Sequence, residues 1–151
     1  MGNIERSEIG RGEWIDLYAT AWRERSPQDV VQLFTPDALY YFSPTAPPRR
    51  GREEIAAHWK TATDSFEELI LRFGTPISEG ALTSVEMWAT MRDPAWHERR
   101  TGTVPGPGED WLTFPGCLVL RFDETGLCVE HREYYNTVFG MRVDPPAGWG
   151  A

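Results

Sequence analysis

The stretch from Asp37 to Trp59, DALYYFSPTAPPRRGREEIAAHW, holds a strand, a proline-rich turn and the start of a helix within one short run. Leu39, Tyr40, Tyr41 and Phe42 are the aromatic and branched types that suit a pleated, half-buried strand, and Asp37 and Pro44 bracket them with turn chemistry. Pro44, Pro47 and Pro48 forbid regular pairing beyond them. Gly51 frees the backbone at a helix entrance, and Glu53 and Glu54 favour the positive end of the helix dipole, so a helix starts near Arg52. Ile55, Trp59 and Ala62 follow at helical spacing, which turns one face of that helix toward the aromatic face of the strand.

On the N-terminal side, Trp14, Leu17, Tyr18, Ala21 and Trp22 recur at the spacing of an amphipathic first helix ending near Arg25. Ser26-Pro27 followed by Asp29 reads as a helix cap with proline at the first helical position, opening a short second helix through Phe34 that Thr35-Pro36 stops. On the C-terminal side, Glu68 to Phe73 is a strand. From Leu82 to Met91 the chain alternates, with Val85, Met87, Ala89 and Met91 on one face and Ser84, Glu86, Trp88 and Thr90 on the other. Residues 93–110, rich in proline and glycine, are either a solvated hairpin tip, the preferred reading, or a lid. Trp111 to Phe122 and Leu127 to Phe139 form two strands across a tight turn containing Gly126. Counting back from a turn at Asp123–Gly126 sets Leu118 opposite His131 and Gly116 opposite Glu133, and a one-residue slip would exchange the faces. His131, Glu133, Tyr135 and Thr137 share one face of the last strand; Glu130, Arg132, Tyr134 and Asn136 share the other.

The order helix, helix, strand, helix, then four strands implies an α+β fold, a curved and mostly antiparallel sheet with helices on one face. The 151 residues, 40% apolar and 13% aromatic, make a single domain able to enclose a core. The ends, about 1–10 and 144–151, carry the composition of poorly ordered termini, although Trp149 could reach a pocket mouth. Fifteen basic against twenty-three acidic residues give a net charge of −8. With the arginines scattered, this argues against nucleic acid or an anionic membrane as partner. No apolar run is long enough for a membrane span and the polar start has no signal-like region, so a cytoplasmic protein is expected. Met1-Gly2 opens like a myristoylation motif, but Arg6 stands where that motif wants Ser or Thr. Cys117 and Cys128 lie in adjoining strands out of register with one another, so no disulfide is expected, and no metal-ligand spacing occurs.

Asp37-Ala38, Pro47-Pro48, Gly51-Arg52-Glu53 and Ile55-Ala56-Ala57 resemble the strand–turn–helix unit of the nuclear-transport-factor-2-like superfamily. That superfamily includes ketosteroid isomerases, limonene-epoxide hydrolases, scytalone dehydratases and SnoaL-like polyketide cyclases. The resemblance implies a cone: a curved, mixed sheet wrapped around three N-terminal helices and enclosing a hydrophobic pocket. Against the isomerases, Tyr18 to Trp59 aligns without a gap, and Leu120-Arg121-Phe122-Asp123-Glu124 with Gly126 matches the late hairpin. Tyr18 then falls on the tyrosine that donates to the oxyanion, and His131, Glu133 and Tyr135 on pocket-lining positions. Phe42 stands where the isomerase has its carboxylate base and Leu118 where it has a protonated aspartic acid, which makes steroid isomerisation by that mechanism an unsuitable reading. Against the epoxide hydrolases, Tyr40 falls on the water-positioning tyrosine and Glu133 on one catalytic aspartate. Phe42, Glu86 and Trp88 replace their asparagine, arginine and second aspartate.

The resulting candidate site has Tyr18, Tyr40, Glu86, His131 and Glu133 as catalytic groups. Trp22, Phe42, Trp59, Trp88, Leu118 and Tyr135 are its substrate-binding walls. A carboxyl group in such an aromatic cavity is pushed toward neutrality and so into the range useful for proton transfer. The expected function is cofactor-independent acid–base catalysis, with neither cofactor nor metal. The reaction would be an isomerisation, cyclisation, dehydration or hydrolysis of a hydrophobic polyketide-, terpenoid- or steroid-like molecule of secondary metabolism. Two other readings stand beside it: a non-catalytic small-molecule binding protein using the same pocket, and an interaction module whose outer sheet face serves dimerisation. The resemblance implies a homodimer; Tyr18 and Tyr40 could equally be core residues, and a tryptophan stripe is more often packing than substrate recognition.

Overall fold

A computed structural model describes residues 9–151. The Met1-Gly2 start and Arg6 lie outside the described residues. Helix α1, Arg11–Arg23, buries Trp14, Ile15, Tyr18, Ala19 and Ala21. Leu17 does not join this stripe and is 42% exposed, because the buried arc is centred on Trp14 and Tyr18 and Leu17 falls beyond its edge. Ser26 caps α2, Pro27–Val30, by accepting from the Asp29 amide at 3.3 Å. A single 3-10 turn, Val31–Leu33, follows.

Strand β1 runs Phe34–Tyr41 and so begins earlier than the sequence suggests. Pro36 is tolerated within it because the pairing is irregular between Phe34 and Leu39. A two-residue strand β2, Arg49–Arg50, pairs with β1 and leads into α3, Gly51–Thr63. Gly51 takes a left-handed φ of 77° there, and the Glu54 carboxylate accepts from the Arg50 amide at 2.6 Å, closing the helix entrance.

The remaining strands are β3 Glu68–Phe73, β4 Ile77–Glu79, β5 Leu82–Arg92, β6 Trp111–Phe122, β7 Cys128–Tyr135 and β8 Val138–Phe139. All eight form one curved, unclosed sheet in the order β2-β1-β7-β6-β5-β3, with β4 on β5 and β8 on β6. Among the described strands only the β1–β7 pair is parallel. The connection between β5 and β6 holds a helix that the sequence reading missed: α4, Pro94–Thr101, is capped by Asp93 and closed by Gly102 at a φ of 75°.

The β6–β7 register also differs from the count. Leu118 pairs with Glu133, Leu120 with His131 and Gly116 with Tyr135. The turn takes one residue more than expected, since Asp123 donates to the Leu127 carbonyl, and an extra residue bulges at Val129. The two shifts add to an even number, so the side-chain faces keep their expected parity. Cys117 lies opposite Tyr134, and both cysteines are free.

The main core cluster fills the space between helices and sheet, with a smaller one around Ala19, Leu71 and Ala89 beside it. At its centre the Trp14 ring stacks on Tyr18 at 5.1 Å and meets Phe34 and Phe122 edge-on, while its indole N–H donates to the Leu33 carbonyl at 2.8 Å. On the outer face of the sheet, Trp149 packs edge-on against Trp88, and the Gly150 carbonyl accepts from the Thr75 amide at 3.1 Å. No described helix is long and apolar enough to cross a membrane.

Gly116 sits where β6 passes closest to β7. A Cβ there would meet the Tyr134 carbonyl oxygen and lie 2.7 Å from Tyr135 Cα. Gly116→Ala must therefore push backbone against backbone, with an expected cost of about 3 kcal/mol and a fall in Tm of roughly 6–12 °C. Thermal unfolding by circular dichroism checks this, and an unchanged Tm would show that the strands can part without cost.

Candidate functional site

A cavity of about 390 Å³ opens between α1, α3, α4 and the concave face of the sheet. Its apolar walls include Trp22, Phe42, Leu71, Phe73, Met87, Ala89, Leu112 and Phe114, and its polar lining comes from Tyr18, Tyr40, His58, Asp93, Arg100, Glu133, Tyr135 and Thr137. The depth of the cavity is built by β7, whose odd-numbered residues point inward. His131 is fully buried and Glu133 is 9% exposed.

Side chains from four elements form a hydrogen-bond network that ends at Glu133 Oε1. The Tyr40 hydroxyl, from β1, donates to it at 2.6 Å, and the Tyr18 hydroxyl, from α1, lies 3.4 Å from it and 3.1 Å from the Tyr40 hydroxyl. Trp59, from α3, donates its indole N–H to the Tyr40 oxygen at 3.3 Å, and His131 Nε2 lies 3.1 Å from the Tyr18 oxygen. The direction of this chain follows from its ends. An indole nitrogen can only donate. His131 Nδ1 is buried without a partner, and a buried unpaired N–H costs more than an unpaired lone pair, so the ring proton sits on Nε2 and points at Tyr18. Every hydroxyl proton in the network therefore runs toward Glu133 Oε1, which leaves Oε2 as the oxygen free to exchange a proton.

Burial sets the protonation of the group. Desolvation raises the Glu133 carboxyl from its ordinary 4.5 to about 7, against the opposing hydrogen bonds from Tyr40 and Tyr18. Desolvation lowers His131 to about 3, so this ring is neutral near pH 7 and its 4.0 Å approach to Glu133 is not an ion pair. Tyr18 and Tyr40 are held well above their ordinary value, first by burial and then by the Glu133 charge, and so remain protonated donors.

Not every expected site residue reaches this cavity. Tyr18, Tyr40, His131 and Glu133 meet in the network, while Trp22, Phe42 and Tyr135 line the space in front of it. Trp59 acts from behind through Tyr40, and Leu118 is fully buried in the core below. Glu86 and Trp88 are corrections. Val85, Met87 and Ala89 turn inward on β5, so the even-numbered positions face outward: Glu86 is exposed, and Trp88 donates its indole N–H to the Val143 carbonyl at 2.9 Å under the C-terminal tail. The alternation was visible in the sequence, but which set faced the cavity depended on how the sheet bends.

Other residues enter that sequence reading left out. His58 stacks on Phe42 at 4.6 Å, and burial followed by the nearby Arg49 charge lowers it to about 4. Trp96 and Arg100 come from α4, whose signal was the pair Asp93-Pro94, the same cap-and-proline pattern as Ser26-Pro27. Asp93 accepts from the Trp96 amide and from Ser65 Oγ, each at 2.9 Å. Among the described residues no three His, Cys, Asp or Glu side chains converge as metal ligands.

The two buried ionisable groups act on stability in opposite directions. Glu133 binds its proton more tightly folded than unfolded, so stability is lost as pH rises from about 4.5 through 7, on the order of 3 kcal/mol in total. His131 binds its proton less tightly folded, so stability is lost as pH falls from about 6.5 toward 3. His58, which burial lowers to about 4, adds to the acid limb, so chemical denaturation across this range is expected to give a maximum between about pH 6 and 7. Glu133→Gln should flatten the alkaline limb and His131→Asn the acid limb, and limbs that keep their slopes in these variants would refute the assignment.

A family model for the SnoaL-like domain matches residues 15–131. No curated protein matches the chain. Among solved structures, the chain is similar to a hypothetical protein with a ketosteroid isomerase-like fold from Catenulispora acidiphila, in complex with trimethylamine. The two are 17% identical, with 82% of this chain and 85% of that one covered and a TM-score of 0.66. It is similar also to SalBIII, an epoxide hydrolase/cyclase-like enzyme in pyran ring formation of the polyether salinomycin, at 15% identity, 85% and 94% coverage and a TM-score of 0.64. A candidate SnoaL-like polyketide cyclase from Shewanella denitrificans matches at 19% identity, 83% and 89% coverage and a TM-score of 0.68. These likenesses share the helix-backed cone described above, and with the match over residues 15–131 they place the chain in the SnoaL-like domain family of the nuclear-transport-factor-2-like superfamily.

Proposed function

We propose that this protein is a cofactor-independent acid–base enzyme acting on a hydrophobic small molecule of polyketide, terpenoid or steroid type, with Glu133 as the group that moves the proton. The observation that carries this reading is a cavity-lining carboxyl group whose value burial raises to about 7, with one oxygen accepting from Tyr40 and Tyr18 and the other making no hydrogen bond among the described residues. A base with such a value is ionised often enough to accept a proton and, once protonated, acidic enough to return it.

The roles divide by where the protons point. Tyr40, with Tyr18 behind it, stabilises the Glu133 anion and fixes its orientation, and His131 and Trp59 hold the two tyrosines from the far side. Their protons are already directed at Glu133, so they are not the donors to a developing oxyanion. Tyr135 and Thr137 fill that role in this reading, because they line the cavity and their hydroxyls make no hydrogen bond among the described residues. The substrate class is supported by the cavity's apolar walls and by the likeness to an enzyme of polyether pyran-ring formation and to a candidate polyketide cyclase. Isomerisation, cyclisation, dehydration and hydrolysis all use such a transfer. If Glu133 moves no proton, the same cavity is a binding site alone.

A generic carbon acid tests the assignment without knowledge of the natural substrate. In 5-nitrobenzisoxazole, removal of the C3 proton by Glu133 breaks the N–O bond and releases a coloured phenolate. The rate is expected to rise with pH through about 7, to fall about 100-fold or more in Glu133→Gln, and to show its midpoint at higher pH in Tyr40→Phe, where the anion loses its shortest hydrogen bond. A Glu133→Gln variant as fast as wild type would overturn the proposal.

A further inference from the structure

The cavity is electrostatically one-sided. Glu133 lies at its depth, and Arg100, in the last turn of α4, is the one Arg or Lys among its lining residues. His58 also lines it but is held neutral by burial. The Arg100 guanidinium forms no ion pair or hydrogen bond among the described residues and sits 5.3 Å over the Trp96 ring, which also lines the cavity. The helix that carries it is capped at its start and packed along its buried side. Asp93 caps its start, His97 stacks on Phe139 at 5.0 Å, and Thr101 Oγ donates to the His97 carbonyl at 2.9 Å. The other acidic side chain in the lining, Asp93, is 3% exposed and accepts from the Trp96 amide and Ser65 at the opposite end of α4. A guanidinium left unpaired beside an apolar cavity, in a chain of net charge −8, offers a fork suited to a carboxylate.

Resting on the reading of this cavity as a substrate site, we infer that Arg100 selects an amphipathic substrate: a flat apolar body with a carboxylate end held at Arg100 while its reacting end lies at Glu133. The apolar body fills the aromatic space between them, and the carboxylate stays at the solvent side of the mouth, where its desolvation is partial. An uncharged molecule of the same shape then binds more weakly, and the direction of binding is set before any chemistry occurs.

Calorimetric titration of 2-naphthylacetate and of the isosteric 2-naphthylacetamide at about pH 6 tests this, since the probe is then an anion and Glu133 is largely protonated. Wild type is expected to bind the acid about tenfold more tightly than the amide, a modest preference because Arg100 is partly solvated. Arg100→Gln should remove the preference, bringing the acid's affinity down to that of the amide. Arg99→Gln, one position along and outside the cavity lining, should keep it, which separates contact from a general change in charge. Equal affinity for acid and amide, no binding of the acid at millimolar concentration, or a preference that survives Arg100→Gln would each overturn the inference. The readout is binding, so Glu133→Gln protein can be titrated in the same way. An acid preference present there, with no proton transfer by wild type, would retain the Arg100 assignment and remove the catalytic one.

Discussion

The structure depends on keeping one carboxyl group away from water and cations. Glu133 has no Arg or Lys partner among the described residues, and its nearest imidazole is neutral, so hydroxyl groups alone offset the loss of solvation. Two phenols from different elements must therefore meet one oxygen, which fixes α1 against β1 and both against β7. The aromatic packing around Trp14 serves the same end. Its stacking on Tyr18 and the stacking of Tyr40 on His131 at 4.1 Å hold the rings so that their hydroxyls coincide.

The sheet supplies the second requirement, an asymmetric surface. Its concave face carries the cavity and its convex face carries Glu86, Trp88 and the C-terminal tail. Because side chains alternate with a period of two, the direction of bending divides each strand between chemistry and solvent. The helix α4 then closes one side of the cavity with Trp96 and Arg100, so the residues that shape the mouth belong to a connection between strands.

Much of the frame was legible. The Ser26-Pro27 cap, the Gly51 helix entrance and the parity of β7 all depend on local chemistry, and each stands in the structure where residue types put it. The pairing count for β6 and β7 failed by two residues because a turn one residue longer and a bulge at Val129 have no strong local mark. It still kept Glu133 on the inward face, since an even shift preserves parity. The helix α4 was legible at Asp93-Pro94 and Gly102 but was hidden by the prolines and glycines that follow it. The placement of Glu86 and Trp88 in the pocket came from resemblance, against an alternation that allowed either face.

By itself the sequence determined the types of the main elements other than α4, the α+β class and the residues of β7 that share a face, because these follow from periods of 3.6 and 2 and from the φ restrictions of proline and glycine. Only the tertiary structure decided that Tyr18, Tyr40, Trp59 and His131 act on one carboxyl oxygen, that Glu86 faces solvent, and that Arg100 overlooks the cavity. Protonation, hydrogen-bond direction and the choice of concave face depend on distance and burial between residues far apart in the chain, and no local pattern encodes those.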